Sequence, residues 1–235
     1  MNTFEFNGVN CAEYGAYVHS MYPANVARRS EEIVQIPGKN GDLVLPNGSF
    51  QNVEVEYQVF FKSDYMSNYA ALVAALLSVD GYAILRDSRN ENYFRMARLT
   101  NWESDVVSRD LVAGAAVLTF DCMPQRFLVS GLVIQTFLQS GYITNQTSFT
   151  AKPNIRVYGY GTVTIGNVTI TIQQNQLEYI DIDCEAMAAF NGAVNANSLV
   201  SMSSDSFPVL APGTTGISMT GNVSSIQIQP RWWTV

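Results

Sequence analysis

Charge is scarce in this sequence. Only 14% of its 235 residues are Asp, Glu, Lys or Arg, well below the quarter or so usual in globular domains. Thirteen basic residues face 20 acidic ones, leaving a net charge of −7. Without clustered Lys and Arg the chain lacks the phosphate contacts that nucleic-acid binding requires. The same balance argues against an anionic membrane surface. Histidine is scarcer still, with His19 in "YVHSMYP" alone. No G-x-S-x-G elbow or other convincing Ser or Cys motif accompanies it. A lone histidine is more often a packed or surface residue than a catalyst, so no catalytic residue is assigned and no enzymatic activity is expected. The three cysteines, Cys11, Cys122 and Cys184, are far apart and odd in number, which fits neither a disulfide framework nor a zinc site. Buried thiols in a reducing cytoplasm are expected instead. No run reaches the roughly 18 apolar residues of a membrane span. The opening "MNTFEFNGVNCAEYG" has neither a basic n-region nor an apolar h-region, so no secretory signal is expected.

What the chain does have is a 47% hydrophobic fraction, enough for a sizeable core, and a period of two that marks strands. In "NVEVEYQVFF", Val53, Val55, Tyr57, Val59 and Phe61 share one face, and Glu54, Glu56 and Gln58 the other. The alternation recurs in "VTIGNVTITI", "EYIDIDCE" and "VSSIQIQ". One helix is predicted in "KSDYMSNYAALVAALLSVDGY", with Met66, Tyr69, Ala70, Val73, Leu76 and Leu77 as its apolar face. Ser63 or Asp64 is placed to cap its start and Gly81 to stop it. Two Asn-Gly pairs in "QIPGKNGDLVLPNGSF" bracket Leu43, Val44 and Leu45, which predicts a hairpin. This arm, residues 36–50, has little nearby mass to cover it and is expected to dock on its own core or on another subunit. Composition shifts near residue 130 towards Gly, Thr, Asn and Ser. The natural partition is an α+β domain over residues 1–131 and an all-β sandwich over 132–235, with the last strand able to pack on either.

The remaining motifs carry weak chemistry. Asp181, Asp183 and Glu185 in "IDIDCE" share one face of a strand, where they could approach a calcium ion. Calcium takes 6–8 oxygens, so a solvated outer face opposite buried Ile180, Ile182 and Cys184 is the favoured reading, and no metal is assigned. "YGYGTV" contains G-x-G, but no helix follows it to cradle a phosphate. No cofactor is expected.

Several stretches together resemble the distal tail protein (Dit) family of siphovirus-type phage tails. They are "FEFNGVNCAEYGAYV", "IPGKNGDLVLPNGSFQNVEVEYQVFF", "LLSVDGYAILRDSRNENYFRMARL" and "TFDCMPQRFLVSG". A fifth runs from "TNQTSFTAKPNIRVYGYG" through "IDCEAMAAF" and "FPVLAPG" to "IQIQPRWW". One departure is "GTTGI", with Thr214 to Gly216, where the family often has Asn-x-Ile. The resemblance implies a mainly β chain: a tail-tube-like α+β sandwich domain with one helix and a hairpin arm, then a galectin-like or carbohydrate-binding-module-like β-sandwich. It further implies a structural protein of the virion tail tip, synthesised in the host bacterial cytoplasm. The first domains would form a homohexameric ring that continues the tail tube channel, with DNA only as passing cargo. The implied partners are the tube protein, the tail-associated hub protein and a peripheral receptor-binding protein. An acidic balance suits a channel through which DNA slides, since basic walls would grip phosphates.

Trp232 and Trp233 close the sequence in "IQIQPRWWTV". Adjacent residues of a strand point to opposite faces, so the pair cannot form one flat sugar platform. Trp232 is in line with Ile226, Ile228 and Pro230 and is assigned to packing. Trp233 continues the polar row of Gln227, Gln229 and Arg231, and its expected partner is another chain or the first domain. Leu43, Val44, Leu45 and Trp233 are thus the candidate inter-subunit contacts. The alternative is a carbohydrate-binding module recognising host cell-surface glycans, for which Tyr158 and Tyr160 are candidate glycan-facing residues.

Overall fold

A computed structural model of the chain describes residues 1–21, 26–107 and 113–235. The chain divides into two compact units, Met1–Arg126 with Val235, and Phe127–Thr234. The first holds β1 (Phe4–Phe6), β2 (Val9–Asn10), β3 (Ala16–Met21), β4 (Arg29–Val34), β5 (Leu43–Phe50) and β6 (Val53–Phe61). Helix α1 (Tyr65–Leu77), β7 (Ala83–Asp87), β8 (Tyr93–Val107) and β9 (Gly114–Leu128) follow. One sheet runs in the order β2-β1-β7-β8-β9-β6-β3, while β4 and β5 form a separate two-stranded sheet.

Strand β6 shows how pattern becomes core. Val53, Val55, Tyr57, Val59 and Phe61 are all buried, each worth about 1.5–3 kcal/mol of transfer free energy at full burial. Tyr57 stacks on Phe4 at 5.0 Å and meets Phe120 edge-on at 5.9 Å. Helix α1 packs on this core through Tyr65, Leu72, Val73 and Leu76, with Tyr69 partly buried beside them. That face differs from the predicted one: Met66 and Leu77 are exposed. The reason is Tyr65, whose ring fills the space left by Gly114, where a Cβ would come within 2.6 Å of it. Its hydroxyl donates to Ser104 Oγ at 2.8 Å. Spacing from Tyr65 selects residues 69, 72, 73 and 76. Asp64 occupies the N-cap position with φ 47° and no side-chain cap bond. The helix stops at Ser78, whose N–H donates to the Ala74 carbonyl, and Gly81 (φ 74°) serves the turn into β7.

The second unit is almost wholly strand. It holds β10 (Gln135–Phe137), β11 (Gly141–Asn145), β12 (Asn154–Ile165), β13 (Val168–Ile172) and β14 (Tyr179–Asp183). Then come β15 (Ala188–Asn191), β16 (Val194–Asn195), β17 (Val200–Met202), β18 (Gly213–Gln229) and β19 (Trp233–Thr234). Its main path is β10-β18-β12-β14-β15-β16, with β13 and β17 continuing from β12 and β11 pairing β18. The axis is the long antiparallel pair β12 and β18. Ile155, Val157, Val163 and Ile165 from β12 meet Ile217, Ile226 and Ile228 from β18 in one core.

The "YGYG" glycines serve this pair. Between Tyr158 and Gly159 the register shifts, leaving Ser224 as an extra residue on β18. This bulge lets the buried set of β18 switch from odd positions to even ones. Gly159 has φ 91°, and a Cβ there would lie 2.2 Å from the Asn222 carbonyl oxygen. The motif is a backbone contact between strands.

Candidate functional site

The arm is the part of the first unit that its core does not use. Strand β4 pairs antiparallel with β5, with Val34 opposite Leu43, Ile33 opposite Val44, and Glu32 opposite Leu45. The ribbon therefore spans residues 29–50 and is longer than the expected 36–50. Its upstream strand, "RSEEIV", lacks alternation because Glu31 and Glu32 are adjacent. The first Asn-Gly pair lies in the connecting loop, where Gly41 has φ 83°. The second lies inside β5, where the register shifts between Arg29 and Glu31 and Asn47 Nδ2 donates to Ser30 Oγ at 3.2 Å. Arg29 lies over the Phe50 ring at 5.5 Å and anchors the base.

Both faces of the ribbon carry exposed apolar side chains. Directly opposed residues share a face, so Ile33 and Val44 lie on one, at 62% and 47% exposure. Leu43 and Leu45 lie on the other, at 39% and 43%. A two-stranded ribbon is marginal on its own in water. The apolar side chains of this ribbon are thus left largely uncovered within the chain.

The terminal tryptophans divide in burial as expected. Trp232 is buried in the second unit's core. Its segment is held there by Leu128 N–H donating to the Trp232 carbonyl and Arg231 N–H donating to the Gly131 carbonyl, both at 2.9 Å. Gly131 is required at that crossing, because a Cβ would sit 2.4 Å from the Trp232 nitrogen. Trp233 has partners in its own unit: it stacks on Phe149 at 4.4 Å, and its Nε1–H donates to the Thr150 carbonyl at 2.9 Å. The polar row expected to contain it is interrupted, since Arg231 takes φ 58°. Tyr158 and Tyr160 go separate ways. Tyr158 packs on Tyr179 at 5.9 Å, while Tyr160 lies against the core.

The expected solvated face holds only for Glu185, which is exposed, whereas Asp181 and Asp183 turn to arginines. Asp181 is buried and accepts two bonds from Arg156, at 2.7 and 2.9 Å. Asp183 accepts two from Arg231, both at 2.8 Å. Glu185 pairs with Lys152 at 3.3 Å. The cause is register, because β12 sets Arg156 directly opposite Asp181, and the left-handed turn at Arg231 brings its fork to Asp183. Hydrogen bonds from Arg231 hold the Asp183 carboxyl below its ordinary range, and the bonds to Asp181 push Arg156 upward. Among the described residues no group of three or more His, Cys, Asp or Glu is placed to hold a metal ion.

The other residues singled out in the sequence are scattered. His19 is exposed on β3. Cys11, Cys122 and Cys184 are buried free thiols. Desolvation pushes Cys122 and Cys184 each up to about 12, so they remain protonated and poorly nucleophilic. Among the described residues no helix is long and apolar enough to cross a membrane.

No protein-family model and no curated protein matches the sequence. Among solved structures, the fold is similar to that of the Dit protein of phage SPP1, from the hub adsorption apparatus of phages infecting Gram-positive bacteria. That match has a TM-score of 0.69 at 14% identity and covers 100% of both chains. The chain is also similar to chains of the phage P2 baseplate in its activated conformations with Ca and with Sr. Their TM-scores are 0.55 and 0.54 at 10% and 9% identity, over 97% of each chain. From end to end, the chain shares the mainly β fold of the SPP1 Dit protein.

Proposed function

We propose that the chain is a structural component of a phage tail tip, assembled as a homohexameric ring that continues the tail tube channel. The observation that carries this reading is the full-length likeness to the SPP1 Dit protein. The arm supports it, because a closed ring needs heterologous contacts and the ribbon offers apolar surface on two faces. In this reading the first unit builds the ring, and Leu43, Val44 and Leu45 reach a neighbouring subunit. The tube protein and the tail-associated hub protein flank the ring. The second, galectin-like unit connects to peripheral receptor-binding components, and DNA passes through the channel as cargo. Glycan recognition is the weaker reading, because Tyr158 and Tyr160 form no common platform.

Light scattering followed by negative-stain imaging tests the proposal. A six-fold ring of about six times the 25.9 kDa chain, or its dimer, is the expected result. A strict monomer at every concentration, even with tube and hub proteins added, would overturn it.

A further inference from the structure

Four Asn-Gly pairs occur in the chain, at 7–8, 40–41, 47–48 and 191–192. This dipeptide carries a chemistry of its own, because glycine has no Cβ to keep its backbone nitrogen away from the asparagine side chain. Hydroxide removes the glycine amide proton, and the nitrogen bonds to the asparagine Cγ. The Cγ–Nδ2 bond breaks, and Nδ2 takes a proton from water and leaves as ammonia. Water then opens the resulting cyclic imide at either of its two carbonyls. Breaking the new bond to Cγ gives an aspartyl residue. Breaking the original peptide bond gives an isoaspartyl residue, whose main chain runs through Cγ. Only water and hydroxide are consumed or returned, and nothing is oxidised or reduced.

Closing the imide requires the asparagine Cα–C bond to rotate until the glycine nitrogen faces Cγ. A pair held by its backbone must therefore open first. Three of the four pairs are held. Asn7 and Gly8 form the turn between β1 and β2, with φ of 49° and 82°, between paired Phe6 and Val9. The Asn7 N–H also donates to the Ile84 carbonyl at 2.9 Å. Asn47 and Gly48 lie within β5, and Asn47 Nδ2, the leaving atom, donates to Ser30 Oγ. Asn191 ends β15 opposite Val194, and its Nδ2 donates to the Tyr179 carbonyl at 2.9 Å.

The fourth pair is not held. Asn40 lies in the exposed connection from β4 to β5, residues 35–42. The turn ahead of it closes at Lys39, whose N–H donates to the Ile36 carbonyl at 3.1 Å. Among the described residues neither the Asn40 side chain nor the Gly41 N–H makes a hydrogen bond.

We propose that Asn40 is a self-modifying site, which in the folded chain converts to an aspartyl or isoaspartyl residue ahead of the other three pairs. The product carries one more negative charge, close to Asp42 and just before Leu43, Val44 and Leu45. The modification holds whether or not the chain assembles. Its consequence rests on the ring reading above: a carboxylate at the end of the arm weakens the contact with a neighbour, so an aged chain assembles less than a fresh one.

The full chain is held in warm, mildly alkaline buffer, and its peptides are sequenced over time by tandem mass spectrometry. Isoaspartyl methyltransferase labels the isoaspartyl product. Asn40 should react at least about tenfold faster than Asn7, Asn47 or Asn191, since even one hydrogen-bonded turn that has to open slows the reaction by about that factor. In urea, where all four pairs are released, the rates should converge. Asn40→Gln should remove the fast phase. Equal rates in the folded chain, or a lead for Asn40 that persists in urea, would overturn the structural selection. Light scattering on aged wild type and equally aged Asn40→Gln reads the consequence. A lower assembled mass for the wild type alone is expected, and equal assembled masses would overturn the effect on assembly. Monomers in both fresh samples would overturn the ring reading and the assembly effect with it, while the peptide rates would still decide the site.

Discussion

Replacing Trp233 by alanine distinguishes an indole that holds its own unit together from one that reaches another chain. The structure assigns it three contributions to stability. The stack on Phe149, at 4.4 Å with planes 29° apart, is worth about 0.5–1.5 kcal/mol beyond area burial. The Nε1–H bond to the Thr150 carbonyl adds about 0.5–1.5 kcal/mol net. Because the residue is half-buried, only part of the about 3–5 kcal/mol of a full Trp→Ala truncation applies. The expected loss is about 2–4 kcal/mol. At about 4 °C per kcal/mol for a unit of this size, the second unit's Tm should fall by about 8–16 °C. Trp233→Phe keeps the stack and loses the donor, so it should recover all but about 1 kcal/mol. Trp232→Ala should lie at the top of the 3–5 kcal/mol range for a buried aromatic, about 5 kcal/mol. Differential scanning calorimetry reads the melting, and light scattering on the same samples reads assembly. Native melting of Trp233→Ala with reduced solution mass would refute this reasoning and place the indole's main partner in another chain.

Other perturbations follow from particular contacts. Val44→Asp on the arm should leave the unfolding free energy within the roughly ±0.5 kcal/mol typical of surface changes while lowering the assembled mass in light scattering. Gly159→Ala forces a Cβ to 2.2 Å from the Asn222 carbonyl oxygen at φ 91°, which should cost about 2–4 kcal/mol by urea denaturation. Arg231 depresses the Asp183 carboxyl in the folded state. Its stabilisation is therefore complete above the unfolded carboxylate value, about 3.9, and is lost as pH falls from there through the depressed native value. Asp183→Asn should remove about 1–3 kcal/mol at neutral pH and flatten the acid limb of the second unit's stability curve.

Local pattern was legible wherever one face of a strand settles the matter. In β6 all five alternating apolar residues are buried, because a period of two survives any choice of neighbour. Tertiary choices were hidden. The face of α1 turned on Tyr65, whose ring needs the gap at Gly114, a residue far along the chain. The ladder beside β14 turned on the register that sets Arg156 opposite Asp181. Nothing within "IDIDCE" reports which cation stands across from it. The arm's Leu43, Val44 and Leu45 were visible as apolar residues between turn signals, but their partner strand was not, since adjacent Glu31 and Glu32 conceal its alternation.

A likeness to SPP1 Dit at only 14% identity fits a fold that constrains pattern more than residue identity. Buried positions tolerate exchange among apolar residues of similar volume, so a shared core needs a shared period and turn order rather than shared residues. Backbone crossings are stricter. At Gly131 and Gly159 any Cβ meets main-chain atoms within 2.4 Å, and no side-chain repacking relieves that. The arm falls under neither constraint. Ile33 is 62% exposed and Val44 47%, and polar residues there would make the isolated chain more soluble without weakening its core. Their apolar character is therefore the feature that folding alone does not explain. In the proposed ring, a neighbour covering both faces of the ribbon would explain it.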